Sequence, residues 1–280
     1  MRRGRRGFVL AELLVALIIA AIIGVSLTQL VISQSRFVAL QSAILQARGG
    51  ARAALNVMAS DFRMVGDSGL VAATPESVTV RVPYAYGAAC LQAAGKTLVS
   101  LLPADSATFF SATMSGYAWR DSTGKYVFVQ PATVATSLWV LCSWPFTTPS
   151  ITTLSASGWS PTVVAVGPND PRTPPGSVVY LYQLIQYAFA PSGQLPGRIG
   201  LWRTVVSTGE RDELVAPFDS SAGFQFLDST YTANANPPTD LNQVKGLRLV
   251  LISASEQPPE GRTLPMKFNL TTNVVFRNHS

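Results

Sequence analysis

The chain has 280 residues, 48% of them hydrophobic and only 13% charged, where an average soluble protein is roughly a quarter charged. This excludes disorder, a coiled-coil rod and collagen, and leaves one large domain or two ordinary ones. The net charge of +6 is mostly local: Arg2, Arg3, Arg5 and Arg6 supply four of 21 basic residues, and beyond residue 7 the balance is 17 basic to 15 acidic. That balance makes no general claim on nucleic acid.

The basic stretch Arg2–Arg6 precedes Gly7 and an apolar run from Phe8 to Ile32. As a helix rising ~1.5 Å per residue, such a run crosses a ~30 Å hydrocarbon layer. Four arginines on one side, with no comparable cluster on the other, place the N-terminal side in the cytoplasm and the rest outside. Glu12 is the one charge inside the run, and a carboxylate in a spanning helix costs ~2.5–3.5 kcal/mol on insertion scales, so it calls for a role. A secretory signal peptide has a shorter apolar core and a small-residue cleavage site. A twin-arginine signal accounts for Arg5-Arg6-Gly7-Phe8-Val9-Leu10 but not for Glu12. A plain anchor accounts for the length and gives no reason for the carboxylate.

Beyond Ile32 the helical period continues. Phe37, Leu40, Ile44, Ala47, Ala51, Leu55, Met58, Phe62 and Val65 form an apolar stripe, with Gln41, Arg48, Arg52, Asn56 and Ser60 opposite. The stripe is expected to pack on a following sheet. Gly49-Gly50 predicts a bend or brief break, since each helical glycine costs ~1 kcal/mol relative to alanine. The helix should stop at Gly66, before the turn Asp67-Ser68-Gly69. The tetrapeptide Gly66–Gly69 also surrounds the nucleophile of chymotrypsin-like proteases, but the one histidine of the chain is His279 and no triad can be assembled.

From Thr74 onward the texture becomes short β-branched runs separated by Gly, Pro, Ser and Asn. Strands are expected at 77–82, 125–130, 138–143, 163–166, 177–190, 199–207, 223–227, 244–253 and 267–276, with 177–190 central or bent. Residues 85–175 read as a variable, loop-rich segment. Its tryptophans Trp119, Trp139, Trp144 and Trp159 suggest core packing, because no convergent polar groups accompany them. Cys90 and Cys142 form either one disulfide or two buried thiols; export favours the disulfide, closing a loop of about 50 residues for ~2–4 kcal/mol. The loop Asp228–Asp240 is rich in oxygen ligands but lacks the spacing of a calcium loop, and reads as an ordinary surface loop. No catalytic constellation, metal site or cofactor is expected.

Gly7-Phe8-Val9-Leu10-Ala11-Glu12-Leu13 resembles the class III leader of type IV prepilins and type II secretion pseudopilins. The resemblance implies cleavage between Gly7 and Phe8 by the membrane prepilin peptidase, N-methylation of Phe8, and an assembly role for Glu12 against the free amine of a neighbour's residue 8. The helix end from Ala51 to Gly66 is similar to PilW-type minor pilins and J-type minor pseudopilins. So, more loosely, are 179–184, Gly200-Leu-Trp-Arg203, Glu213-Leu-Val, Phe224-Gln-Phe226, 244–251 and 274–278.

The fold expected is then α+β and pilin-like, a long N-terminal transmembrane and amphipathic helix packed on an antiparallel sheet domain. The divisions are 1–7 as cleaved leader, 8–32 as filament-core helix, 33–66 as its amphipathic continuation and 67–280 as a β-rich head. The implied function is a non-enzymatic, low-copy subunit that primes or caps a type IV pilus-like filament. Alternatives are an adhesive or DNA-capturing tip subunit, or a subunit of a type II secretion pseudopilus. Implied partners are the peptidase, other minor and major pilins or pseudopilins, and the bacterial inner membrane, with the head periplasmic until incorporation into the filament. Residues 85–175 hold only Lys96, Arg120, Lys125 and Arg172 as basic groups, too sparse for DNA.

Overall fold

The computed structural model describes residues 10–93, 95–130, 132–136 and 163–276. It opens with one 55-residue helix, α1 (Leu10–Met64). Strands β1 (Leu70–Ala73), β2 (Ser77–Ala93) and β3 (Lys96–Leu101) lead to a short helix, α2 (Pro103–Ser111). Then come β4 (Gly116–Arg120), β5 (Tyr126–Val129), β6 (Thr133–Thr136), β7 (Val163–Gly167) and β8 (Val178–Pro191). The chain continues through β9 (Ile199–Val205), β10 (Glu210–Phe218), β11 (Gly223–Leu227), β12 (Ala233–Asn234), β13 (Gly246–Ala254) and β14 (Lys267–Val275).

This is an α+β architecture: a long helix on one large, wholly antiparallel sheet. The main path of the sheet runs β12-β11-β13-β10-β9-β8-β2-β3-β7-β6, with β1 on β2, β14 on β13, and the β4–β5 hairpin on β8. β8 is central, as its apolar run suggests. One edge pairs with β2 over its length, while the other is shared between β4 at Val179–Tyr182 and β9 from Ile185 onward. The two long strands therefore serve two cores. Val78, Val80 and Val82 of β2, with Ile185, Tyr187 and Phe189 of β8, join the core under α1. Ala85, Ala89, Val179 and Leu181 join a second core with Phe109 of α2, Tyr117 and Trp119. The inward residues of β2 change from even to odd numbers at a register shift between Pro83 and Ala85, a bulge that keeps both halves in phase with β8.

Residues 85–175 are accordingly more regular than their loop-like composition implies: the described part carries the second half of β2, then β3 to β7 and α2. The strands expected at 125–130 and 163–166 are present as β5 and β7, while β3, β4 and β6, four to six residues long with small or polar residues among them, are too short for periodicity to register. Side-chain bonds hold the return to β8. Tyr117 donates to the Pro168 carbonyl at 2.7 Å, and Gln92 donates to the carbonyls of Asp170 and Thr173 at 2.7 and 3.0 Å. The expected strand at 138–143 lies outside the described residues.

The second half of α1 packs on β13, β14, β10 and β2. Ala43, Ala47, Ala51 and Ala54 are buried, and they let the helix approach the sheet closely; Met58 and Phe62 then fill the space. The ring of Phe62 stands edge-on to Tyr187 and Phe224, at centroid distances of 5.3 and 6.3 Å. Phe37, at the start of the expected stripe, is 61% exposed, because the fully buried part of the stripe begins only at Ala43. No break occurs at Gly49-Gly50. Gly50 lies over Val215, and Ser253 donates to the Ala47 carbonyl at 2.5 Å, so tertiary contacts outweigh the intrinsic cost of the glycines. The helix stops where the sequence indicates, but the left-handed residue is Ser68 (φ 59°). Gly66 is needed for another reason: a Cβ there would lie 2.9 Å from the Tyr126 ring.

Phe62→Ala should cost ~3–5 kcal/mol, as expected for a fully buried aromatic, whereas Phe37→Ala should leave stability within ~0.5 kcal/mol; urea unfolding of the detergent-solubilised chain measures both.

Candidate functional site

The residues singled out by sequence are Gly7, Phe8 and Glu12. Gly7 and Phe8 lie outside the described residues, and Glu12 falls in the first helical turn. Every described side chain from Leu10 to Val38 is exposed, although most are Leu, Ile, Val or Ala. The most apolar window of this helix has a mean hydropathy of 2.6 and none of it is buried, so α1 is long and apolar enough to cross a membrane. The hydroxyls in this stretch are turned inward. Ser26 donates to the Ile22 carbonyl at 2.9 Å and Thr28 to that of Gly24 at 2.8 Å, so neither hydroxyl needs water. Apolar on all sides, this half of α1 suits lipid or a surround of other helices; the second half, buried along one side, suits only its own sheet.

Where α1 meets the head, the residues that carry the looser resemblance take specific positions. Asp61 Oδ2 accepts a bond from the Tyr187 hydroxyl at 2.5 Å and lies 3.8 Å from Nε of Arg203, so helix, β8 and β9 meet at one carboxylate. Burial, and then the charge of Asp61, push the Tyr187 phenol well above its ordinary range. Arg52 and Arg63 are exposed, and Leu55 is half-buried against the core. On β9, Gly200 leaves room for the Glu213 side chain, since a Cβ there would overlap the carboxylate. Glu213 in turn accepts from the Gly193 amide at 3.0 Å, Trp202 donates to the Pro191 carbonyl at 3.2 Å, and Arg211 stacks on Trp202 at 4.2 Å. Gly246 passes so close to Val274 that a Cβ would meet its carbonyl. The part that Tyr187 plays with Asp61 is 126 residues away in sequence, and no local signal marks it.

Other expectations resolve into structural roles. Trp119 is buried in the second core, while Trp139, Trp144, Trp159 and His279 lie outside the described residues. Gly66–Gly69 is a helix-stop turn: Gly69 donates to the Gly66 carbonyl at 3.0 Å, and Asp67 faces Lys245 at 3.9 Å. Asp228 spends its carboxylate on its own loop, accepting from the amides of Thr230 and Thr232 and from the Thr230 hydroxyl, which holds its carboxyl below the usual range. A cleft of about 420 Å³ beside it is lined by Phe226, Asn234 and Pro238 among others. Cys90, 1% exposed, is disulfide-bonded; Cys142, the other cysteine of the chain, lies outside the described residues.

Comparison with family models, with curated proteins and with solved structures yields no match for this chain.

Tyr187→Phe should cost ~1–3 kcal/mol by leaving the half-buried Asp61 without its donor. The parent chain should lose stability as pH rises above about 10, where tyrosines of the unfolded chain ionise while Tyr187, Tyr180 and Tyr84 are held neutral by burial. Denaturation between pH 7 and 11 should show that fall, shallower in the variant. Titration of the unreduced protein should find no reactive thiol, and Cys90→Ser should cost ~2–5 kcal/mol.

Proposed function

We propose that the chain is a minor pilin or pseudopilin, a low-copy structural subunit that primes or caps a type IV pilus-like filament. The observation that carries the reading is the division of α1: every described side chain to Val38 is exposed, and to Ile32 nearly all are apolar, Glu12, Ser26, Thr28 and Gln29 excepted, whereas from Ala43 one stripe is buried. A subunit that waits in a membrane and later enters a helical bundle needs both halves. The leader adds its own support, because Gly7, Phe8 and Glu12 stand in the spacing that prepilin processing requires.

In this reading, hydrolysis of the Gly7–Phe8 peptide bond releases residues 1–7 and frees the amine of Phe8, which is then methylated. The arginines hold the N-terminal side in the cytoplasm, and the head lies outside. Before assembly, residues 8–32 are covered by lipid. On extraction into the filament they are covered by neighbouring helices, and Glu12 meets the amine of a neighbour's Phe8 where the low dielectric strengthens the attraction. The α+β fold, a long helix whose second half packs on an antiparallel sheet, is compatible with this reading.

Mass analysis of the N-terminal peptide from native membranes should give a peptide that begins with methylated Phe8; an intact Met1 in the mature protein would overturn the reading. Glu12→Ala should still insert in the membrane yet be lost from sheared filaments, as followed by immunoblot of both fractions.

A further inference from the structure

The head reaches furthest toward the apolar half of α1 through the loop between β13 and β14. Ser253 contacts the Ala47 carbonyl, the Glu256 amide donates to Gln46 Oε1 at 3.3 Å, Glu260 pairs with Arg36 at 3.7 Å, and Gly261 lies beside the Arg36 side chain. The loop thus descends along the helix from residue 47 to residue 36, ~16 Å at 1.5 Å per residue. Arg36 stands one turn past Ile32, where the apolar run ends. With the hydrocarbon core occupied by that run, Glu260 and Gly261, beside Arg36, lie ~6 Å beyond its edge, at the level of the lipid headgroups, and residues 262–264 follow directly in the same loop.

The loop is braced in this position. Ser255 is fully buried; it donates to the Gln257 carbonyl at 2.7 Å and accepts from the Met266 amide at 3.0 Å. Arg262 donates its amide to the Pro259 carbonyl, with Gly261 at φ 79°, as in a type II turn. This turn presents an apolar residue and a cation side by side. Leu264 is 73% exposed, and next to it the exposed Arg262 reaches the Met266 sulfur at 3.6 Å. They border a cleft of about 750 Å³ that Arg198, Phe218 and Met266 also line. An apolar tip beside a guanidinium is the pairing that suits a phospholipid interface, the leucine entering the acyl boundary and the arginine meeting phosphate.

We propose that the 255–266 loop is a membrane-resting surface: Leu264 inserts at the interface and Arg262 binds a phospholipid phosphate, which sets the depth and tilt of the head before assembly. This rests on α1 spanning the membrane, so the test probes both. The full chain is reconstituted in phosphatidylcholine–phosphatidylglycerol vesicles, with an environment-sensitive fluorophore at Thr263→Cys, or for comparison at Ala20→Cys or at Thr123→Cys in the β4–β5 turn. The parent chain put through the same labelling provides the blank. Lipids carrying a shallow quencher should quench position 263 and leave position 123 bright, and a deep quencher should quench position 20. Arg262→Ala should shift the docked-to-undocked ratio at position 263 about fivefold, equivalent to the ~1 kcal/mol of one arginine near an anionic surface; Leu264→Asp should abolish the quenching.

Quenching at position 20 but not at 263 would overturn the proposal and leave the span intact. Failure to quench position 20 would remove the span and the proposal with it. Shielding of position 263 from aqueous iodide without lipid quenching would assign the loop to a protein contact instead, and equally overturn it.

Discussion

One helix has to satisfy two surroundings, and the rest of the structure follows from how it divides. Up to Val38 the described side chains of α1 are outward in every direction, and up to Ile32 nearly all are apolar; from Ala43 they are sorted into a buried stripe and a polar back. Only the second half finds its partner within the chain. Its small residues bring the backbone close enough to the sheet for Ser253 to bond to the Ala47 carbonyl, and Met58 and Phe62 anchor the far end in the core. Burial of that stripe supplies the free energy that carries the helix intact through Gly49-Gly50, which a helix free in water would not favour.

The sheet has a matching economy. β2 and β8 run through both cores, so the region beyond the main head extends the same sheet and has its hydrophobic face in register with it. The shift at Pro83–Ala85 makes this possible, because in a strand a single extra residue turns every later side chain to the opposite face. On the other face, Tyr86, Tyr126, Phe128, Tyr180 and Tyr182 cluster, with Arg81 4.2 Å above the Phe128 ring. Arg81 also donates to the Ser68 carbonyl at 2.6 Å, tying that cluster to the turn at the end of α1.

Half-buried polar groups of the head connect elements: Asp61 joins α1 to β8 and β9, and Gln92 joins β2 to the return before β8. Carboxylates that might suggest cation binding, such as Asp228, are engaged with their own turns. The longest continuous stretch of outward apolar side chains among the described residues is the first half of α1, and Leu264 in the β13–β14 loop is also exposed.

The sequence alone determined the long helix and its stop near Gly66, the α+β class, the central strand at 177–190 and most strands after it, because each has a run of side chains long enough to show a period. It also placed Glu12 in an apolar run and the arginines ahead of it, features that are local by nature. The strands at Leu70–Ala73, Lys96–Leu101, Gly116–Arg120 and Glu210–Phe218 escaped it: they are short, small-residue or charged segments, held by partners distant in sequence. Only the tertiary structure decided that Tyr187 and Arg203 meet Asp61, that Phe37 is not core, and that the loop at Glu260 and Gly261 stands beside Arg36. Each depends on which face of a strand or helix meets a neighbour more than a hundred residues away, and local periodicity carries no information about that.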